Sequence, residues 1–380
     1  MKVGWQKEKL GAVCSFLNRG ISPTYLNQGG VCVLNQKCVR DHRINYDLAR
    51  RHDETAKPIS VERFIQVGDV LVNSTGTGTL GRVAQIRKIP PEPTTVDSHV
   101  TIVRPQPGKF YSDFFGYMMV FIEETIKEAG EGCGGQTELA RSVLADKFSL
   151  GYPSSQAEQQ RIVRILDEAF DGIATVKANA EKNLQNARAI FESHLQTVFT
   201  QRGEGWVEKT IGECFKVSSG DFLPAKSMIA IGEIDVYGGN GIAGKHNAKN
   251  LSGENIIIGR VGAKCGNVRH VVGDLWLTDN AFYISEYYYK FDLAFLERSI
   301  TLKNLRNTAN QAAQPVISYS TIKDVVLEFP VSKLIQKEIA AMLNVLESET
   351  QRLETIYKQK LVALDELKKS LLHQAFEGKL

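Results

Sequence analysis

The sequence has little of what marks an enzyme or a membrane protein. Its six cysteines, at 14, 32, 38, 133, 214 and 265, include no C-x-x-C pair, so nothing points to a zinc ribbon or a thioredoxin-type site. In a reducing compartment they are free thiols. Long apolar runs are absent as well. The longest is Phe114 to Ile122, well short of the roughly eighteen residues of a membrane span. Met1-Lys2-Val3-Gly4-Trp5-Gln6-Lys7 lacks the apolar stretch of a signal peptide, and the expected location is the cytoplasm. Charge of one sign is scarce: 46 Lys and Arg against 43 Asp and Glu leave a net +3, too little to argue for a polyanionic partner. With 43% hydrophobic residues in 380, the chain is not disordered and has material for two or three globular units.

Proline is missing from 154–200 and again from 331–380, and these gaps expose a repeat. Gly4-Trp5 opens one half and Gly205-Trp206 the other. Leu10-Gly11 matches Ile211-Gly212, Pro23 matches Pro224, and Tyr152-Pro153 matches Phe329-Pro330. At a constant offset of 177, Ile162 pairs with Ile339, Leu166 with Leu343, Leu184 with Leu361, Leu195 with Leu372 and Phe199 with Phe376. Apolar residues in both stretches recur at steps of three and four, the seam of a coiled coil. Ser155-x-x-Glu158 reads as a capping box, and each helix would run to roughly 70 Å at 1.5 Å per residue. Gly172 is a candidate kink. If the helices pair antiparallel, two variable units lie at opposite ends, related by a pseudo-two-fold axis. Between the anchors the halves diverge, with one echo. Gly68-Asp69-Val70-Leu71-Val72 resembles Gly253-Glu254-Asn255-Ile256-Ile257, and Gly81-Arg82-Val83 resembles Gly266-Asn267-Val268. Both read as turn, strand, Gly-rich loop and strand.

Two motifs look catalytic and lack their context. Gly76-Thr77-Gly78-Thr79-Leu80-Gly81 matches G-x-G-x-x-G, but residues 82–89 alternate like a strand and lead into Pro90-Pro91. A dinucleotide site needs a helix there. Gly239 to Lys245 nearly matches a phosphate loop, but His246 stands where a Ser or Thr should ligate magnesium, and the next residues carry no helix pattern. The seven histidines do not cluster at metal-ligand spacing. No G-x-S-x-G, no Asn-Pro-Pro-aromatic or Asp-Pro-Pro-aromatic run and no helicase-type ATP site occurs. Over a whole chain these absences favour a binding protein.

Local charge is more informative than net charge. The stretch 70–91 holds Arg82, Arg87 and Lys88 with no acid, and 255–273 holds Arg260, Lys264 and Arg269 with no acid. Residues 35–51 carry Lys37, Arg40, Arg43, Arg50 and Arg51 against Asp41 and Asp47. Such patches suit phosphate contact, although charge runs are often simply solvated faces.

The order of Gly-Trp start, variable unit, Pro-led long helix, and the same again resembles the DNA-specificity subunits of type I restriction–modification systems. Two stretches carry the resemblance most specifically. One is Val236-Tyr237-Gly238-Gly239-Asn240-Gly241-Ile242-Ala243-Gly244-Lys245-His246-Asn247 with Ile256 to Gly262 and Cys265-Gly266; the other is Trp276-Leu277-Thr278-Asp279-Asn280-Ala281. Val33-Leu34-Asn35-Gln36 is similar to the opening of other such domains, while the Tyr-Gly-Gly-Asn-Gly segment is missing from the first half.

The resemblance implies an α+β chain with two globular mixed α/β target-recognition domains, joined by two long antiparallel coiled-coil helices with pseudo-two-fold symmetry. The expected boundaries are 1–152 for the first domain, 153–204 for the first helical spacer, 205–329 for the second domain and 330–380 for the second spacer. It implies a non-catalytic protein that binds double-stranded DNA, each domain reading one half of a bipartite site. The helices set the gap and dock two methyltransferase subunits, through which motor-nuclease restriction subunits join. No cofactor is expected in this chain; S-adenosylmethionine belongs to the methyltransferase partners.

Base edges are read by Arg or Lys at guanine and by Asn or Gln at adenine, while phosphate contacts set the register. The DNA-binding candidates in the first domain are Asn35, Lys37, Arg40, Arg43, Thr75, Thr77 and Arg82. In the second they are Asn240, Lys245, His246, Asn247, Arg260, Lys264 and Asn267. Asn310, Gln311, Gln314 and Gln136 are further amide candidates. For each, the bland alternative is a solvent-facing turn residue. Three other readings remain: a coiled-coil adaptor that binds only proteins, an enzyme that methylates or cuts DNA alone, and the specificity subunit of a two-subunit, type IIB-like restriction system.

Overall fold

The computed structural model describes residues 4–130, 138–310 and 314–380; Cys133, Gln136 and Gln311 lie outside them. The chain forms two compact units, Met1–Glu181 with Gln359–Leu380, and Lys182–Lys358. The divisions fall inside the two long helices, Gln156–Thr200 and Lys333–Phe376, so each helix contributes to both units. The first helix runs unbroken through Gly172.

In the first unit the repeated anchors face each other. Strand Trp5–Lys9 pairs antiparallel with Ser149–Pro153, setting Trp5 opposite Pro153. The Ser154 N–H donates to Gly4 O at 3.0 Å, with Gly4 at φ +81°, a conformation glycine adopts without a Cβ clash. A four-stranded antiparallel sheet follows, in the order Cys14–Arg19, Val100–Pro105, Val70–Asn73, Val83–Gln85. Helix Ser112–Phe121 supplies Phe114, Phe115, Met118 and Met119 to the main core. A second, smaller sheet sets Val31–Leu34 parallel to Thr94–Val96 and antiparallel to Arg50–His52.

The second unit, taken by itself, is built on the same plan. Strand Trp206–Thr210 pairs with Val326–Pro330, again with Trp206 opposite Pro330, and Val331 N–H donates to Gly205 O at 3.0 Å. Its sheet runs Phe215–Ser219, Ala281–Tyr287, Glu254–Gly259, Val268–Val272. Its smaller sheet sets Ile234–Gly238 parallel to Leu275–Leu277. The sequence echo therefore has a structural meaning. Both copies are the hairpin that ends the four-stranded sheet, Val70–Asn73 with Val83–Gln85 and Glu254–Gly259 with Val268–Val272.

Within each unit the long helices run antiparallel. In the first, Lys177 pairs with Asp365 at 2.8 Å and Arg161 Nη2 donates to Leu380 O at 2.8 Å. In the second, Arg188 grips Glu354 through two bonds, at 2.8 and 2.9 Å. The buried seam on the first helix, Leu166, Ile173, Ala180 and Ala187, keeps a strict seven-residue spacing, as a coiled coil requires. Val176 and Leu367, which fit the sequence periodicity, are instead exposed. Ser155 caps the first helix by accepting from Glu158 N–H at 3.4 Å, and the Glu158 carboxylate takes Arg161 in a two-point ion pair.

A buried glutamine ties each helix start to its unit. Gln159, fully buried, accepts from Tyr111 N–H at 2.7 Å and donates to Pro153 O at 2.9 Å. Gln336, at the same offset of 177, accepts from Asp292 N–H at 2.8 Å and donates to Pro330 O at 2.8 Å. Each helix ends in a core phenylalanine. Phe376 packs on Phe114 and Phe121 in the first unit, and Phe199 packs on Trp206 and Phe295 in the second.

Candidate nucleic-acid interface

Loops gather where the ends of the two sheets meet, and the backbone bonds that hold them are the same in both units. In the second unit, Thr278 N–H donates to Tyr237 O, Arg260 N–H to Asn280 O, Gly266 N–H to Gly259 O and Ile317 N–H to Arg260 O. In the first, Asp97 N–H donates to Leu34 O, Ser74 N–H to His99 O, Gly81 N–H to Asn73 O and Leu139 N–H to Ser74 O. One scaffold thus equates Leu34 with Tyr237, Ser74 with Arg260, His99 with Asn280 and Asn73 with Gly259. Arg82 matches Asn267 in the same way, because each receives the N–H of Asn73 or Gly259 at 2.9 Å. Gln36 corresponds to Gly239, two residues on from Leu34 and Tyr237.

The second unit's loops form an open cleft of about 620 Å³. It is walled by Phe222, Leu223 and Ile242 and edged by Asn240, Asn280 and Gln314. The Tyr237-Gly238-Gly239-Asn240-Gly241 segment is the tight turn of a β-hairpin, which rules out the phosphate-loop geometry it superficially matches. Gly239 has no room for a side chain: a Cβ would lie 2.3 Å from Val261 O and 2.9 Å from Asn280 O. The exposed Asn240 accepts from Lys264 N–H at 3.1 Å through Oδ1, and its carbonyl receives Arg269 Nη2 at 3.2 Å. Arg260 donates through Nη1 to Ser219 Oγ at 2.8 Å and Asp279 O at 3.0 Å, and lies 4.5 Å over the Phe282 ring. Its buried Nε has no partner. Asn267 sits beside Gly259, where a Cβ would meet its Oδ1.

Asn240, Arg260, Lys264 and Asn267 therefore come together. Lys245, His246 and Asn247 lie at the other end of the same hairpin. Lys245 pairs with Asp235 at 2.9 Å, His246 packs edge-on against Trp276, and Asn247 is exposed. Asn310 accepts from Val316 N–H at 3.0 Å and braces its loop.

The first unit joins its own candidates. Asn73 Nδ2 donates to Gln36 O at 3.0 Å, tying the 35–37 turn to the 74–82 loop. Asn35 is occupied locally, accepting from Lys37 N–H at 2.8 Å and donating to Leu48 O at 3.2 Å, while Lys37 is exposed. Thr75 Oγ1 bonds His99 Nδ1 at 2.7 Å, Thr77 is exposed, and Arg82 donates to Gly78 O at 2.9 Å. The 76–81 glycines lead into strand Val83–Gln85, so no helix comes after them, as a dinucleotide site would need. Arg40 and Arg43 project from a small hairpin, Val39–Arg40 with Arg43–Ile44. Beneath it, Glu123 is buried. Burial alone would push its carboxyl up, but hydrogen bonds from His42 and Lys127, and from the Val83 N–H, hold it down at about 2.

Sequence reasoning met Arg269 only as part of the basic stretch 255–273, met Asn280 and Gln36 only within stretches that carry the resemblance, and passed over His99. Aligning the two halves on their Gly-rich loops would have raised Asn280, which lies inside the 276–281 stretch that carries the resemblance. Arg269 sits within a strand and carries no loop signal.

Comparison with known proteins agrees with this geometry. Residues 203–362 match the family model of the type I restriction modification DNA specificity domain. That match takes in the second unit's loops and most of the second long helix. The specificity subunit of the type I restriction enzyme EcoprrI from Escherichia coli is 30% identical over 214 residues. That alignment covers 54% of this chain and 52% of the relative, so the match spans about half the length of that protein. Among solved structures, a chain from a type I R-M system complex superposes with a TM-score of 0.80 at 14% identity, covering 100% of this chain and 99% of that one. The HsdS subunit from Thermoanaerobacter tengcongensis gives 0.67 at 15% identity, covering 100% and 98%. At these identities the likeness is one of fold, and it is the α+β fold with long helices expected from the resemblance. Among the described residues, no helix is long and apolar enough to cross a membrane.

Proposed function

We propose that this chain is the DNA-specificity subunit of a type I restriction–modification enzyme. Each unit reads one half of a bipartite duplex site with the loops at the ends of its two sheets. The long helices set the gap between the halves and dock two methyltransferase subunits, which carry S-adenosylmethionine and through which the motor-nuclease subunits join. The chain holds no cofactor and acts in the cytoplasm.

One observation carries the reading. Two copies of a single scaffold present different side chains at matching loop positions: His99 against Asn280 and Arg82 against Asn267, while the place of Arg260 is taken by a buried Ser74 bonded to Thr101. A shared frame with unlike tips suits a protein that reads two different short sequences, because loops vary while the frame positions them.

The test is selection from a random-sequence duplex library by the chain co-purified with its methyltransferase partner, at two salt concentrations. A split motif with a fixed gap is the expected result. Binding that enriches no sequence and vanishes at moderate salt would leave only nonspecific phosphate contact, and a protein-binding adaptor would then be the better account.

A further inference from the structure

The two units differ most at one point. In the second, strands Ile234–Gly238 and Gly241–His246 are joined by the two-residue Gly239-Asn240 turn. In the first, the equivalent strands Val31–Leu34 and Arg50–His52 are joined by fifteen residues, 35–49. Inside that insertion stands the hairpin Val39–Arg40 with Arg43–Ile44, its base anchored by buried Cys38 and Val39.

This hairpin is costly in two independent ways. Its turn residues, Asp41 and His42, both take left-handed backbone conformations, φ +51° and +58°. That is the type I′ geometry a hairpin prefers, but one suited to Asn-Gly rather than to Asp-His. Its tip also sets Arg40 directly opposite Arg43, and like charges paired across strands repel. Among the described residues, the one ion pair to either arginine in the hairpin itself is long, Arg40 Nε to Asp41 at 3.7 Å. Lys368 lies close enough to Arg43 for the two to repel, and Arg82 and Lys127 line the pocket beside Asp41 and His42. Lys127 is matched by Glu123 and Glu124, at 2.6 and 2.9 Å, but the facing Arg40 and Arg43 are not matched so closely, and a polyanion would relieve their repulsion.

A latch holds the hairpin in place. His42 Nε2 lies 3.1 Å from Oε2 of buried Glu123, which also accepts from Val83 N–H at 3.0 Å and pairs with Lys127 at 2.6 Å. Val83 opens the strand directly after Arg82, so the latch fixes the hairpin to the end of the 74–82 loop.

We propose that the 39–44 hairpin is a DNA-phosphate clamp peculiar to the first unit. Arg40 and Arg43 are its contacts, and His42 and Glu123 are its positioning residues. The proposal rests on the DNA-reading function proposed for the chain and adds to it which residues set register on the backbone.

The test compares R40A/R43A and H42G with wild type, each as the full chain with its methyltransferase partner, by measuring duplex affinity against salt concentration. Each lost phosphate contact lowers the slope of log affinity against log salt by about 0.9. The double variant should therefore flatten the slope by about two, and weaken cognate and noncognate duplexes by a similar factor, about tenfold or more. H42G keeps both arginines and relieves a left-handed residue. That relief offsets part of the lost bond to Glu123, so the variant should melt slightly below wild type and still flatten the slope although both arginine charges are kept. Wild-type slopes in both variants overturn the clamp, as does an unchanged slope with relaxed preference at one base pair, which would make the arginines base readers. Failure of wild type to select any sequence overturns the specificity reading instead. The slope on mixed-sequence DNA would still decide the clamp.

Discussion

At the scale of single residues, the cleft of the second unit separates two kinds of cation. Arg260 is fixed on three sides, by Ser219, Asp279 and the Phe282 ring, with donors to spare. Lys264 is exposed on a loop. A held guanidinium can discriminate a base edge, worth about 1–3 kcal/mol, whereas a free ammonium neutralises phosphate. R260A should relax one base position in one half-site, read as lost enrichment in library selection. K264A should weaken all duplexes alike and reduce the salt slope by about one. In the first unit, Glu123 makes an acid-stability prediction. Its carboxyl is held at about 2 in the fold, against roughly 4.3 in an unfolded chain. A depressed pKa contributes stability that is complete above the unfolded value and is lost as pH falls toward the folded one. Melting temperature should therefore fall between pH 5 and 3 more steeply for wild type than for E123Q, and E123Q should be the less stable at pH 7. Equal slopes on the acid limb would contradict the assignment.

At the scale of elements, the long helices were legible in the sequence because a proline-free stretch with steps of three and four has few other readings. Their anchors were legible too. The Gly-Trp and aromatic-Pro dipeptides recur at both ends of each unit, and they pair with each other. The buried glutamines were marked only by the repeat, since at the offset of 177 Gln159 meets Gln336 while the exposed Gln156 and Gln160 meet Lys333 and Lys337; the role of Gln159 appears only when Tyr111 N–H and Pro153 O are in place. The inserted hairpin was hidden, because residues 35–49 have neither helical nor strand periodicity. Of the candidates in the second unit, strand geometry carries Lys245, His246 and Asn247 to the far end of a hairpin from Asn240. The terminal phenylalanines give an element-level prediction. Truncating a buried Phe costs about 3–5 kcal/mol. F376A should lower the stability of the first unit, measured by hydrogen exchange in its 112–121 helix, and F199A that of the second, measured around 293–302.

At the scale of the whole molecule, one scaffold is used twice with unlike loops, and the function proposed for it makes recognition modular. The most direct test replaces residues 205–329 with the corresponding segment of another specificity subunit. The methyltransferase complex of this chimera is then subjected to library selection beside the wild type. Modular recognition predicts that one half of the enriched motif changes while the other half and the gap stay the same. Change in both halves, or in neither, would contradict it.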